Sequence, residues 1–175
     1  MKLTEVFKNT NYTYTRFSWD AVEHVENSIV LRDNKGKLAP YITCQIRQKE
    51  IKLTPEETVR QLYIFDLMHY YGYPASRIQL ETPIHFGREI KRADVTIMDK
   101  DRPTVPYIIV ELKKPKLSDG KEQLKSYCNA TGAPIGVWTN GEQISCYHRK
   151  DPNFFEAISD IPKASQKLAD IINYT

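Results

Sequence analysis

Glycine is scarce in this sequence, at 7 of 175 residues, and none is arranged as the G-x-x-x-x-G-K-[ST] loop that cradles nucleotide phosphates. The chain is therefore expected to carry no ATP site. Cysteine is scarcer still. Cys44, Cys128 and Cys146 form no C-x-x-C pair and leave one over in any disulfide scheme, which points to reduced thiols in a cytoplasmic protein and away from zinc. The four histidines, His24, His69, His85 and His148, are scattered without ligand spacing. No apolar run approaches the ~20 residues of a membrane span. The start, Met1-Lys2-Leu3-Thr4-Glu5, lacks the hydrophobic stretch of a secretory signal. Neither sign of charge dominates, and a formal net charge of +3 does not by itself announce a nucleic-acid binder.

What is present is an ordinary globular composition, 41% hydrophobic and 27% charged, enough for one domain with a proper core. With no repeat, low-complexity segment or long linker, residues 1–175 read as a single domain in three parts: a β-rich extension (1–53), a core (54–148) and a C-terminal helical segment (149–175). In the extension, Asp33-Asn34-Lys35-Gly36 reads as a turn between strands at 28–32 and 41–51. Thr54-Pro55-Glu56-Glu57 is a helix start, with Thr54 as N-cap, Pro55 at the first helical position and Glu57 placed to complete a capping box. Val59, Leu62, Tyr63, Leu67 and Tyr70 give this helix a buried stripe to about Tyr71, and Gly72 ends it.

Two extended runs follow, 77–86 and 92–98, joined by a Gly87-Arg88-Glu89 turn, and then a third at 107–112. Ser118-Asp119 can cap a second helix over 120–131, closed by Gly132. A buried strand at 135–139 then turns at Asn140-Gly141 into 144–147, and 162–173 reads as a closing helix. The core order αβββαβ predicts an α/β fold of three layers, with helices on a central mixed sheet.

Within this pattern, acid stands where strands should not want it. Asp94 opens one apolar run; Glu111 and Lys113 close another and, being two apart on a strand, project to one face. If the two strands pair, the carboxylates of Asp94 and Glu111 meet at one sheet edge beside an ammonium. Two hard oxygens plus waters suit Mg²⁺. The triplet Glu-x-Lys alone carries little, because Glu50-Ile51-Lys52 and Glu89-Ile90-Lys91 repeat it without that context.

Asp94 followed by Glu111-Leu112-Lys113 resembles the PD-(D/E)xK nuclease signature, with Ala93 where the proline would stand. The wider string runs from Thr54-Pro55-Glu56-Glu57-Thr58-Val59-Arg60-Gln61 through Arg92-Ala93-Asp94 and Glu111-Leu112-Lys113-Lys114-Pro115 to Gln123, Leu124 and Tyr127. It resembles the N-terminal nuclease domain of type I restriction enzyme R subunits, over roughly residues 54–141. The resemblance implies a restriction-endonuclease-like fold and a Mg²⁺-dependent DNA endonuclease, with Mn²⁺ as a substitute. It implies Asp94, Glu111 and the backbone carbonyl of Leu112 as metal ligands, and Asp94, Glu111, Lys113, Glu57, Gln123 and Tyr127 as catalytic. Its partners would be double-stranded DNA and, in a longer protein, a helicase motor with methylase and specificity subunits of a restriction-modification complex. The isolated chain would be only weakly active.

Other readings stay open. Glu111 and Lys113 also suit an exposed pair at a strand end. A capping box accounts for Glu57 without catalysis, and Glu56 beside it could serve in its place. Gln123 and Tyr127, four apart on one helix face, need no function to be where they are. Lys114, Lys116, Arg88, Lys91 and Arg92 suit phosphates but also suit solvated turns. At the level of the whole chain, the alternatives are a catalytically silent nuclease-like module that binds nucleic acid or a subunit, and a stand-alone PD-(D/E)xK nuclease.

Overall fold

The computed structural model describes residues 1–10, 13–113 and 120–172; Lys114, Lys116 and the Ser118-Asp119 cap lie outside the described residues. The chain opens with two helices that the sequence reading did not expect, α1 (Leu3–Val6) and α2 (Trp19–Ser28). Ser18 caps α2 by accepting from the Ala21 amide at 3.1 Å, and Ala21, Val22 and Val25 give it a buried stripe. Then come β1 (Val30–Asn34), β2 (Lys37–Thr43) and β3 (Glu50–Lys52), a small antiparallel sheet. The single strand expected at 41–51 is thus two. A turn intervenes, closed by the Cys44 amide to the Lys49 carbonyl (2.8 Å), with Gln48 in the left-handed region.

Helix α3 (Pro55–His69) starts at Thr54 as expected, but only half of the capping box forms. Thr54 Oγ1 accepts from the Glu57 amide at 3.2 Å, while the Glu57 carboxylate turns to Arg60 and Gln61 instead of the N-cap amide. A buried carboxylate gains more from a guanidinium than from one neutral N–H. The helix stops at His69, short of Tyr71, and the amides of Tyr71 and Tyr73 close back onto Asp66 and Leu67 around Gly72 (φ +79°).

The remaining elements are β4 (Ile78–Phe86), β5 (Glu89–Met98), β6 (Pro106–Leu112), α4 (Gly120–Thr131), β7 (Ile135–Thr139), β8 (Ile144–Asp151), β9 (Phe154–Ile158) and α5 (Leu168–Ile172). Strands β4 to β9 form one six-stranded sheet in sequence order. It is mixed: β6 and β7 are parallel, joined across α4, and every other pair is antiparallel. The expected α/β architecture and αβββαβ order are present. Residues 149–158, assigned to a helical segment, instead finish β8 and build β9. The closing helix shrinks to α5 because the segment before it is tied elsewhere: the Ala164 amide donates to the Tyr71 carbonyl and the Lys163 amide to Gln166. Asn173 lies outside the described residues.

Three layers result. On one sheet face Tyr63 and Leu67 of α3 pack on Val95, Ile97, Ile108, Val110, Ile135 and Val137. On the other, Leu124, Tyr127 and Cys128 of α4 pack on Ile84, Ala93, Ile109 and Trp138. Val59 and Leu62 turn away from the large sheet toward Leu3, Ala21, Val25, Ile42 and Leu53. Helix α3 is therefore covered on both sides.

Gly136 of β7 lies directly under α4: a Cβ there would sit 3.0 Å from Cys128 Sγ and 3.1 Å from Leu124 Cγ. Gly136→Ala should cost about 1–3 kcal/mol by overpacking this layer. Urea unfolding of the two proteins checks it; equal midpoints would mean that α4 lifts without penalty.

Candidate active site

Strand pairing places three acids side by side. Leu80 pairs with Val95 and Thr82 with Ala93, so Glu81 of β4 faces Asp94 of β5; Val95 pairs with Val110, so Asp94 in turn faces Glu111 of β6. The pleat is interrupted at this level. Val95 and Ala93, two apart, should share a face, yet they join clusters on opposite sides of the sheet. Glu81 takes the left-handed conformation (φ +52°), which costs a residue with a Cβ about 1 kcal/mol or more. Beyond Val95, the Leu112 amide donates at 2.7 Å to Asp94 Oδ2.

Glu111 is 3% exposed, and its Oε2 is buried without a hydrogen-bond partner among the described residues. Its Oε1 pairs with Lys113 Nζ at 2.9 Å. Lys113 Nζ also donates to Gln123 Oε1 at 3.3 Å, and Gln123 Nε2 donates to the Tyr127 hydroxyl. Glu111, Lys113, Gln123 and Tyr127, all selected from the sequence, thus form one connected chain between β6 and α4. The exposed-pair reading of Glu111 and Lys113 does not hold, since Glu111 is in the interior.

Burial pushes Asp94 above its ordinary value, against the Leu112 hydrogen bond that lowers it. Burial first, and the Asp94 charge second, push Glu111 up to about 7. Lys113 is raised despite its partial burial by its bond to Glu111.

On the other side of Leu112, a cavity of about 120 Å³ is lined by Glu56, Glu57, Arg60, Glu81, Asp94 and Leu112. Arg60 joins Glu57 on α3 to Glu81 on β4. Neither Arg60 nor Glu81 is among the site residues expected from the sequence. Arg60 was legible as an i, i+3 partner of Glu57; nothing in the β4 sequence marks Glu81. Gly120 does more than start α4. A Cβ there would lie 2.7 Å from Lys113 Cγ and 2.8 Å from Lys113 Cε, so glycine is what lets α4 approach the ammonium stem.

Of the basic residues, Arg88 and Lys91 are exposed near the tip of the β4–β5 hairpin, and Arg92 bonds the Glu81 carbonyl at 3.1 Å. Among the described residues no three His, Cys, Asp or Glu side chains converge as a ready-made metal cage. The donor set nevertheless fits a hydrated hard cation. Among the described residues, the carboxylates of Glu57, Glu81, Asp94 and Glu111 share two cations, Arg60 and Lys113, and one carboxylate oxygen is buried without a hydrogen-bond partner. A divalent ion held by one or two carboxylates and its own waters answers both conditions.

A raised carboxylate contributes stability that is complete below its unfolded pKa and is lost as pH rises through its folded one. For Glu111 that window runs from about 4.5 to about 7 in the metal-free protein. Glu111→Gln should therefore be more stable than the wild type by about 1–3 kcal/mol near pH 8 in chelator, with no such gain near pH 4.5. Thermal melts across this range check it, and a gain confined to low pH would refute the assignment.

The sequence matches the family described as type I restriction enzyme R protein N terminus over residues 55–162. None of the curated proteins matches it. Among solved structures, the chain is similar to a candidate nuclease of the DUF820 group from Anabaena variabilis, at 13% identity and a TM-score of 0.45, over 81% of this chain and 88% of that one. The family match spans more than half of the chain and takes in Glu57, Asp94, Glu111, Lys113, Gln123 and Tyr127. By that match, the chain belongs to the family of type I restriction enzyme R protein N termini.

Proposed function

We propose that this chain is a Mg²⁺-dependent DNA endonuclease domain of a type I restriction system, hydrolysing phosphodiester bonds. The observation that carries the reading is the bare, buried Glu111 oxygen beside Asp94, with Lys113 adjoining. Asp94 and Glu111 would hold the ion, with the Leu112 carbonyl as a further ligand. When bound, Mg²⁺, or Mn²⁺ in its place, supplies Lewis acidity toward the phosphate and activates water.

The chain's own groups do the positioning. Lys113, tethered by Glu111 and Gln123, orients the attacking water and offsets charge that builds on the phosphate. Tyr127 is 1% exposed and steadies Gln123 from behind. Glu57, facing the cavity beside Asp94, would shape the water shell of the ion. Arg88 and Lys91 would take flanking phosphates of duplex DNA. The helicase motor and the methylase and specificity subunits would belong to the larger assembly, which would act in the cytoplasm.

Mn²⁺ titration and plasmid nicking, read together on the wild type, Asp94→Ala and Lys113→Ala, test the site. Asp94→Ala should lose the ion and the nicking; Lys113→Ala should keep the ion while nicking falls by about 10²-fold or more. Metal uptake that survives Asp94→Ala with unchanged affinity would remove the site. For DNA binding, each of Arg88→Ala and Lys91→Ala should reduce the slope of log K against log salt by about 0.9. Slopes that stay unchanged would place the DNA elsewhere.

A further inference from the structure

Arg60 is 9% exposed, and it joins two carboxylates from different elements. Its Nε donates to Glu57 Oε1 at 3.2 Å and its Nη2 pairs with Glu57 Oε2, while Nη1 pairs with Glu81 Oε1. Glu57 belongs to α3 and Glu81 to β4, the strand next to Asp94. All four side chains line one cavity. Two carboxylates converging on a cavity beside a proposed metal ligand are what a second divalent ion would need. A guanidinium is already between them.

We propose that Arg60 occupies the place of a second divalent cation, so that the site takes one ion and Arg60 holds Glu57 and Glu81 beside it as a positioning residue. This rests on the reading of Asp94 and Glu111 as the ligands of the first ion. A guanidinium stays charged at any working pH and presents its donors in a fixed fork. It neutralises one carboxylate's charge without offering a coordination position.

Glu57 is further kept from turning to a metal by Gln61, which is fully buried and donates to Glu57 Oε1 at 2.9 Å. Gln61 is gripped in turn by Gln45, whose amide and side chain bond its Oε1 at 3.2 and 3.0 Å and its carbonyl at 2.9 Å. The turn at residues 44–49, within the first fifty residues, thereby reaches the site through Gln45, Gln61, Glu57 and Arg60. Among the described residues, Glu111 has no equivalent restraint on its Oε2.

The test is the number of Mn²⁺ ions bound per chain, by calorimetric titration of the wild type, Arg60→Met and Arg60→Lys. One ion is expected for the wild type and for Arg60→Lys, and two for Arg60→Met, whose Glu57 and Glu81 are left without a cation. Should Arg60→Met not fold, Arg60→Gln replaces it, keeping a donor toward Glu57 without the charge. Two ions in the wild type, or one in a folded neutral variant, would overturn the proposal while leaving the Asp94–Glu111 site intact. No ion in the wild type would overturn that site and this proposal with it.

Discussion

The hydrogen bond from the Leu112 amide to the Asp94 carboxylate is the contact around which the rest is arranged. Up to Val95 and Val110 the strands β5 and β6 pair through their backbones; at the next position a side chain takes over as acceptor. A charge-assisted bond of this kind contributes about 1.5–3 kcal/mol, enough to hold a carboxylate at the point where the pleat changes face. It also fixes that carboxylate beside Glu111, which burial alone would prefer to keep protonated. The fold thus maintains two acids in a partly desolvated corner, and the cost of their repulsion is met by Lys113 and, on our reading, by a bound ion.

Each of the outer layers equips one side of Leu112. Through Gln123 and Tyr127, α4 steadies the ammonium of Lys113, and Gly120 lets the helix come close enough to do so. Through Glu57 and Arg60, α3 shapes the acidic cavity on the opposite side. The N-terminal helices and small sheet cover the far surface of α3 and lock Gln61. That cover makes the first fifty residues part of the scaffold on which the cavity stands.

Much of the site could be read from the chain because its signals are local. Asp94, Glu111 and Lys113 stand out as charges at the ends of apolar β-type runs, and Gln123 and Tyr127 as an i, i+4 pair. The start of α3 is written in Thr54-Pro55. The partner of the Glu57 carboxylate was misread, because a capping box is a backbone rule and cannot foresee a buried guanidinium one turn on. Helix α2 was missed although Ser18 precedes a helical stripe at Ala21, Val22 and Val25; its aromatic and charged flanks obscure the period. Strand β9, from Phe154-Phe155 onward, reads as neither strand nor helix until β8 offers it an edge.

By itself, the sequence determined the order of elements in the core and singled out the candidate site residues Asp94, Glu111, Lys113, Gln123 and Tyr127, since caps, turns and the two-residue and 3.6-residue periods act between near neighbours. Only the tertiary structure decided that Glu81 joins them through Arg60, that one Glu111 oxygen is left without a hydrogen-bond partner among the described residues, and that the distant Gln45 holds Glu57 by way of Gln61. Those outcomes depend on strand register, on the left-handed backbone at Glu81 and on the depth of burial. Each of these is set by residues far apart in the chain meeting in a desolvated space, where a missing partner costs far more than it would in water.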